Sequence, residues 1–172
     1  MPESLPRSSR RLADVLYDGF FSAGIGGSVV ALFFLGIDAW HGHVFFTPSL
    51  MGSVLFAATP ASVVAGVRLD MVALYTGFHF VSFLTLGILA AIAVHEAELH
   101  SRHPALLIGA LFVLLEILFA GTAGLLMPGV VGRLGVGPVA AANLLAALGM
   151  GLFLLQSHRP ALFQRILHLR RA

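Results

Sequence analysis

Cysteine is absent from this 172-residue chain, which excludes disulfides, thiolate catalysis, iron–sulfur ligation and cysteine zinc sites together. Charge is scarce as well. Only 10% of the residues are charged, and all ten basic residues are arginine. There is no glycine-rich phosphate loop, no nucleophile elbow, and no serine or threonine paired in sequence with an evident base, so an enzyme has no support beyond scattered histidines. No inverted repeat of the transporter kind is visible either. The net charge of +2 and a pI near 9.9 do not indicate nucleic acid, because the arginines stand at the edges of apolar runs. That placement points to topology and to anionic lipid headgroups.

Apolar sequence is abundant. The chain is 58% hydrophobic with a mean hydropathy of +0.95, and four runs stand out, at about residues 19–40, 71–94, 104–127 and 136–157. A hydrocarbon core about 30 Å thick needs about 20 apolar helical residues, and each run suffices. The expected fold is all-α, a polytopic bundle of four transmembrane helices. It divides into a basic cytoplasmic segment (1–18), a four-span membrane domain (19–157) and a basic amphipathic cytoplasmic tail (158–172). In that tail Leu162, Phe163, Ile166, Leu167 and Leu169 alternate with Arg165, His168, Arg170 and Arg171 in a helical pattern suited to the headgroup layer. The first run is too long for a signal peptide and ends in Gly36-Ile37-Asp38-Ala39-Trp40, without a small-x-small cleavage site.

Arginine placement sets the orientation. Arg7, Arg10 and Arg11 precede the first run, Arg102 lies between the second and third, and Arg159, Arg165, Arg170 and Arg171 follow the fourth, whereas the opposite loops hold only Arg68 and Arg133. The positive-inside rule puts both termini in the cytoplasm. Residues 49–67 are apolar enough to be considered a fifth crossing, but that crossing would export the C-terminal arginines. Thr47-Pro48 reads as an N-cap with proline at the first helical position, so a short external or re-entrant helix is expected between the first two spans.

Without a hydrophobic drive between helices in lipid, small residues and a few hydrogen bonds must hold the bundle together. Three stripes are expected to do this: Gly19, Ala23, Gly27 and Ala31 on span one; Ala105, Gly109, Phe112, Glu116, Ala120 and Ala123 on span three; Asn143, Ala147 and Gly151 on span four. Glu116 is the sharpest feature, since a carboxylate in mid-membrane must be neutral, paired or beside water. Tyr75, His79 and Ser82 form a stripe on span two. At about 1.5 Å per residue His79 lies about 12 Å below the outer helix end, Glu116 about 16 Å and Asn143 about 10 Å. Matched depths predict one polar cluster of Tyr75, His79, Glu116 and Asn143, with His79 and Glu116 as direct neighbours. Such a cluster could order the bundle, pass a proton or hold a small ligand, and a lone histidine beside small residues could ligate a haem or a chlorophyll-type pigment. The cofactor stays open. Asp38, His41 and His43, where span one emerges, are a second candidate, since a His-x-His pair beside a carboxylate can bind zinc, copper or nickel. His95-Glu96-Ala97-Glu98-Leu99-His100 fails the zincin spacing, because Leu99 stands where the second histidine belongs.

Tyr75-Thr76-Gly77-Phe78-His79-Phe80, Leu115-Glu116-Ile117-Leu118-Phe119 and the stretch from Ala142-Asn143 to Met150-Gly151 resemble segments of small bacterial four-helix integral membrane proteins of uncharacterised function. The resemblance implies four helices and the bacterial inner (cytoplasmic) membrane, and it carries no mechanism. The resulting expectation is a partner- or small-ligand-binding subunit without chemistry of its own, built around His79 and Glu116. It would act as a homo-oligomer or within a larger membrane complex. The alternatives are a proton- or solute-conducting oligomer and a haem- or pigment-binding subunit.

Overall fold

The computed structural model describes residues 7–97 and 104–158. They form α1 (Arg7–Trp40), α2 (Phe46–Ala57), a 3-10 turn (Ala61–Val63), α3 (Leu69–Ala97), α4 (Pro104–Leu126), α5 (Val130–Leu134) and α6 (Val136–His158). Among the described residues there is no strand, and α1, α3, α4 and α6 are each long and apolar enough to cross a membrane. The molecule is a four-helix bundle with a shorter apolar helix between the first two long ones. The amphipathic tail beyond His158 falls outside the described residues, as does His100.

Two boundaries differ from the sequence expectation. α1 begins at Arg7, so the described part of the basic segment is continuous with the first span; charge ends an apolar run without ending its backbone hydrogen bonds. On that extension Asp18 is buried, and its carboxylate lies 3.4 Å from Nε2 of His95 on α3. The second difference is at α2, which starts at Phe46, two residues before Pro48. Thr47 is not its N-cap. The cap comes from α1 instead: both carboxylate oxygens of Asp38 accept hydrogen bonds, one from the Thr47 amide and one from its hydroxyl, each at 2.7 Å. Phe45 makes the reversal with φ of 67°, a left-handed conformation costly for a bulky residue. The five-residue return is closed by the His43 amide on the Asp38 carbonyl and the Phe46 amide on the His43 carbonyl.

The main interfaces are α1 with α3, α1 with α6, α4 with α6, and α2 with α3, whereas α3 and α4 share no substantial interface. Small residues set these distances. A Cβ on Gly87 would meet the Gly19 carbonyl oxygen and Ala23, so the α1–α3 crossing depends on glycine there, as the first predicted stripe requires. The span-four stripe also packs as expected, with Gly151 against Ile108 of α4. The span-three stripe does so only in part: Ala123 is buried and Phe112 and Glu116 are half-buried. Ala105, Gly109 and Ala120 are exposed, and the inward face of α4 carries Leu111, Leu115 and Ala123.

α2 is a structural plug at one end of the bundle. Leu50, Met51 and Val54 join Ala61, Val64, Ala123, Met127 and Val130 in one buried cluster. Ser49 ties the following loop down, its hydroxyl accepting from the Arg68 amide at 2.8 Å. Gly52 lies against the Met71 carbonyl, where no side chain fits. The other end is filled by a separate cluster that includes Ala23, Phe83, Leu86, Leu111, Leu115, Met150 and Leu154.

Candidate functional site: a polar-edged cavity between α1, α2, α3 and α6

His79 is buried on α3, and its Nε2 lies 2.9 Å from the Gly27 carbonyl oxygen on α1. A carbonyl can only accept, so Nε2 carries the proton and Nδ1 of the neutral ring keeps a lone pair. The bond is possible because a helical carbonyl retains a second lone pair and because Gly27 lets α3 approach. Aromatic rings enclose the imidazole, with centroids at 4.8 Å for Phe83, 5.3 Å for Phe80 and 6.0 Å for Tyr75. The Tyr75 hydroxyl makes no hydrogen bond among the described residues.

Asn143 of α6 is buried and donates from Nδ2 to Oε1 of Glu116 at 3.0 Å. The carboxylate in the middle of α4 therefore has a partner, as its position demanded, and the partner is the amide. The expected pairing of His79 with Glu116 is not formed: the two make no hydrogen bond or ion pair with each other. The physical reason is azimuth. α3 and α4 are not packed side by side, and each turns its polar residue to a different neighbour. Ser82 is also outside the cluster; it is exposed and donates to the Phe78 carbonyl of its own helix at 2.8 Å.

Three of the four predicted residues do share one space. Tyr75, His79 and Asn143 line a cavity of about 260 Å³ between α1, α2, α3 and α6, and Thr47 and Thr76 add hydroxyls to its wall. The remaining lining is apolar, with Val30, Phe34, Met51, Phe119 and Val139 prominent. Glu116 is behind this wall and reaches the cavity only through Asn143. Leu32 and Phe80, both exposed, complete the lining and bring the cavity to the lateral surface of the bundle.

A comparison with protein families, curated proteins and solved structures finds no match to this chain.

The second candidate group forms a separate hollow of about 500 Å³ beside the cavity, lined by Asp38, His41, His43, Thr47 and Arg133. It is not a metal centre among the described residues, where no group of three His, Asp or Glu is arranged to hold an ion. Asp38 is committed to Thr47, and His41 Nδ1 lies 2.9 Å from the Ile37 carbonyl oxygen. Sequence reasoning missed two features here. One is the capping role of Asp38, whose signal was an acid close to a helix start that lacked a cap of its own. The other is the Asp18–His95 contact, signalled by two ionisable residues at the same end of neighbouring spans.

Proposed function

We propose that this chain is a multi-pass protein of the bacterial inner membrane, with both termini cytoplasmic, that binds a small, mainly apolar ligand without catalysing a reaction. The observation that carries this reading is the cavity in which Tyr75, His79 and Asn143 converge on an otherwise apolar space. A concave, mostly apolar site with a few directed polar groups is the usual form of a small-molecule site. Hydrogen-bonding capacity remains at the Tyr75 hydroxyl and at His79 Nδ1, whereas the Asn143 amide is held in place by Glu116. The arginine distribution supports the orientation, and the resemblance to small bacterial four-helix proteins supports the membrane. A tetrapyrrole is less well accommodated, since His79 is enclosed by three aromatic rings and the cavity is only about 260 Å³.

The exposed apolar face of α4, with Val113, Ile117 and Leu125, suits lipid or a second subunit. The reading is tested by purifying the wild type and Ala31→Trp, which fills the cavity from its α1 wall, in mild detergent and extracting each for mass spectrometry. A compound retained by the wild type and missing from the variant supports the proposal. Identical extracts count against it.

A further inference from the structure

The cavity and the hollow beside it are not independent. They share Phe34, Thr47 and Leu134 as lining residues, so an apolar space and a polar one adjoin across a common wall. Alone, the apolar space is slightly smaller than the roughly 300–1,000 Å³ usual for small-molecule sites.

The hollow has a cation in its wall, the exposed Arg133. Arg133, in the last turn of α5, donates from Nη2 to the Val64 carbonyl at 3.0 Å, and its guanidinium carbon stands 5.6 Å from the centre of the Phe46 ring. One hydrogen bond uses one of five N–H donors, so the others remain for a ligand. A guanidinium held this way matches a carboxylate or phosphate bidentately. His41 and His43 line the same hollow. The Asp38 carboxylate in the same wall does not oppose an anion at full strength. Both its oxygens accept hydrogen bonds from Thr47, and it sits at the N-terminus of α2, where the helix dipole offsets negative charge.

We infer that the ligand is an amphiphile with an acidic head, a carboxylate or a phosphate monoester. Its head is held by Arg133 in the hollow, and its apolar chain lies in the cavity beside Tyr75 and His79. This rests on the ligand-binding reading above and goes beyond it in naming the head group and its anchor. The exposed lining residues Leu32 and Phe80 give such a chain a lateral route from the bilayer.

The test uses the full-length protein in phosphatidylcholine nanodiscs. Radiolabelled oleate and dodecyl phosphate are the two acidic probes, methyl oleate is the neutral one, and inorganic phosphate is a competitor. Saturable binding of one or both acids is expected, with the better acid identifying the head chemistry. Methyl oleate should bind about tenfold or more weakly than oleate. Arg133→Gln should weaken the acids by about tenfold and leave the ester unchanged. Ala31→Trp should remove binding of all three amphiphiles. Equal affinity for acid and ester, unaltered by Arg133→Gln but lost in Ala31→Trp, overturns the acidic head and leaves the cavity reading standing. Binding insensitive to Ala31→Trp overturns the cavity reading itself. Full displacement by inorganic phosphate, equal in wild type and Ala31→Trp, means a free-anion site and also overturns the inference. Should Arg133→Gln fail to accumulate, the comparison of acid with ester on the wild type alone remains decisive.

Discussion

Removing the Asn143 amide should expose how the bundle keeps a carboxylate in mid-helix. Asn143 is buried, and its Nδ2 is 3.0 Å from Glu116 Oε1. Asn143→Leu deletes the donor and leaves the half-buried carboxylate without a protein partner, which costs about 1–3 kcal/mol. Glu116→Leu removes the charged group and leaves the buried but neutral Asn143 amide without its acceptor, so its cost should fall at the lower end of that range, about 1 kcal/mol. The double variant should then be less destabilised than the sum, with a coupling of about 0.5–1.7 kcal/mol, from near the average to the maximum for hydrogen bonds between membrane helices. Glu116→Gln should be almost silent for stability, because the amide oxygen accepts the same bond. The assay is reversible unfolding in mixed micelles or bilayers, supported by a disulfide between Glu116→Cys and Asn143→Cys in a chain with no native cysteine. The control pairs Glu116→Leu with His79→Leu, which should be additive within about 0.5 kcal/mol because the two residues have different partners. Strict additivity at positions 116 and 143, or strong coupling between positions 79 and 116, would refute this assignment of partners.

Other outcomes follow from the same packing. Gly52→Ala places a methyl group against the Met71 carbonyl and should cost about 1–3 kcal/mol as α2 is pushed off α3, measured by thermal unfolding. Asp38→Ala removes both acceptors of Thr47 and should cost about 1–2 kcal/mol; hydrogen exchange should speed up in residues 41–50 and stay unchanged in α6. Reporters fused after Ala172 and within residues 95–103 should read cytoplasmic, and one within residues 128–135 external; an external C-terminus would contradict the proposed orientation.

The four long helices were legible because hydropathy over about twenty residues is a direct consequence of the solvent they need. That α1 presents a contact face was legible from glycine and alanine at four-residue spacing, though which helix packs there was not. What sequence could not supply was azimuth between helices distant in the chain. Counting residues sets Glu116 and His79 at similar depths, yet α6 is the neighbour that α4 turns its carboxylate to, and α1 the one that receives the imidazole. The face of α4 was misread for a related reason. Small residues look like a contact stripe whether or not another helix is there, and Gly109 and Ala120 are exposed. At α2 a local rule pointed to Thr47 as the cap, whereas the cap comes from Asp38, nine residues upstream, and only the folded return of the chain brings them together.

The central claim is that a small apolar ligand occupies the space beside Tyr75, His79 and Asn143. The most direct measurement is photolabelling of the protein in nanodiscs with a diazirine-bearing fatty alcohol, followed by peptide mapping. The account predicts saturable label within residues 30–35 and 75–80, lost in Ala31→Trp. Label that never saturates and falls mainly on the exposed face of α4, at Val113, Ile117 and Leu125, with no change in Ala31→Trp, would contradict it.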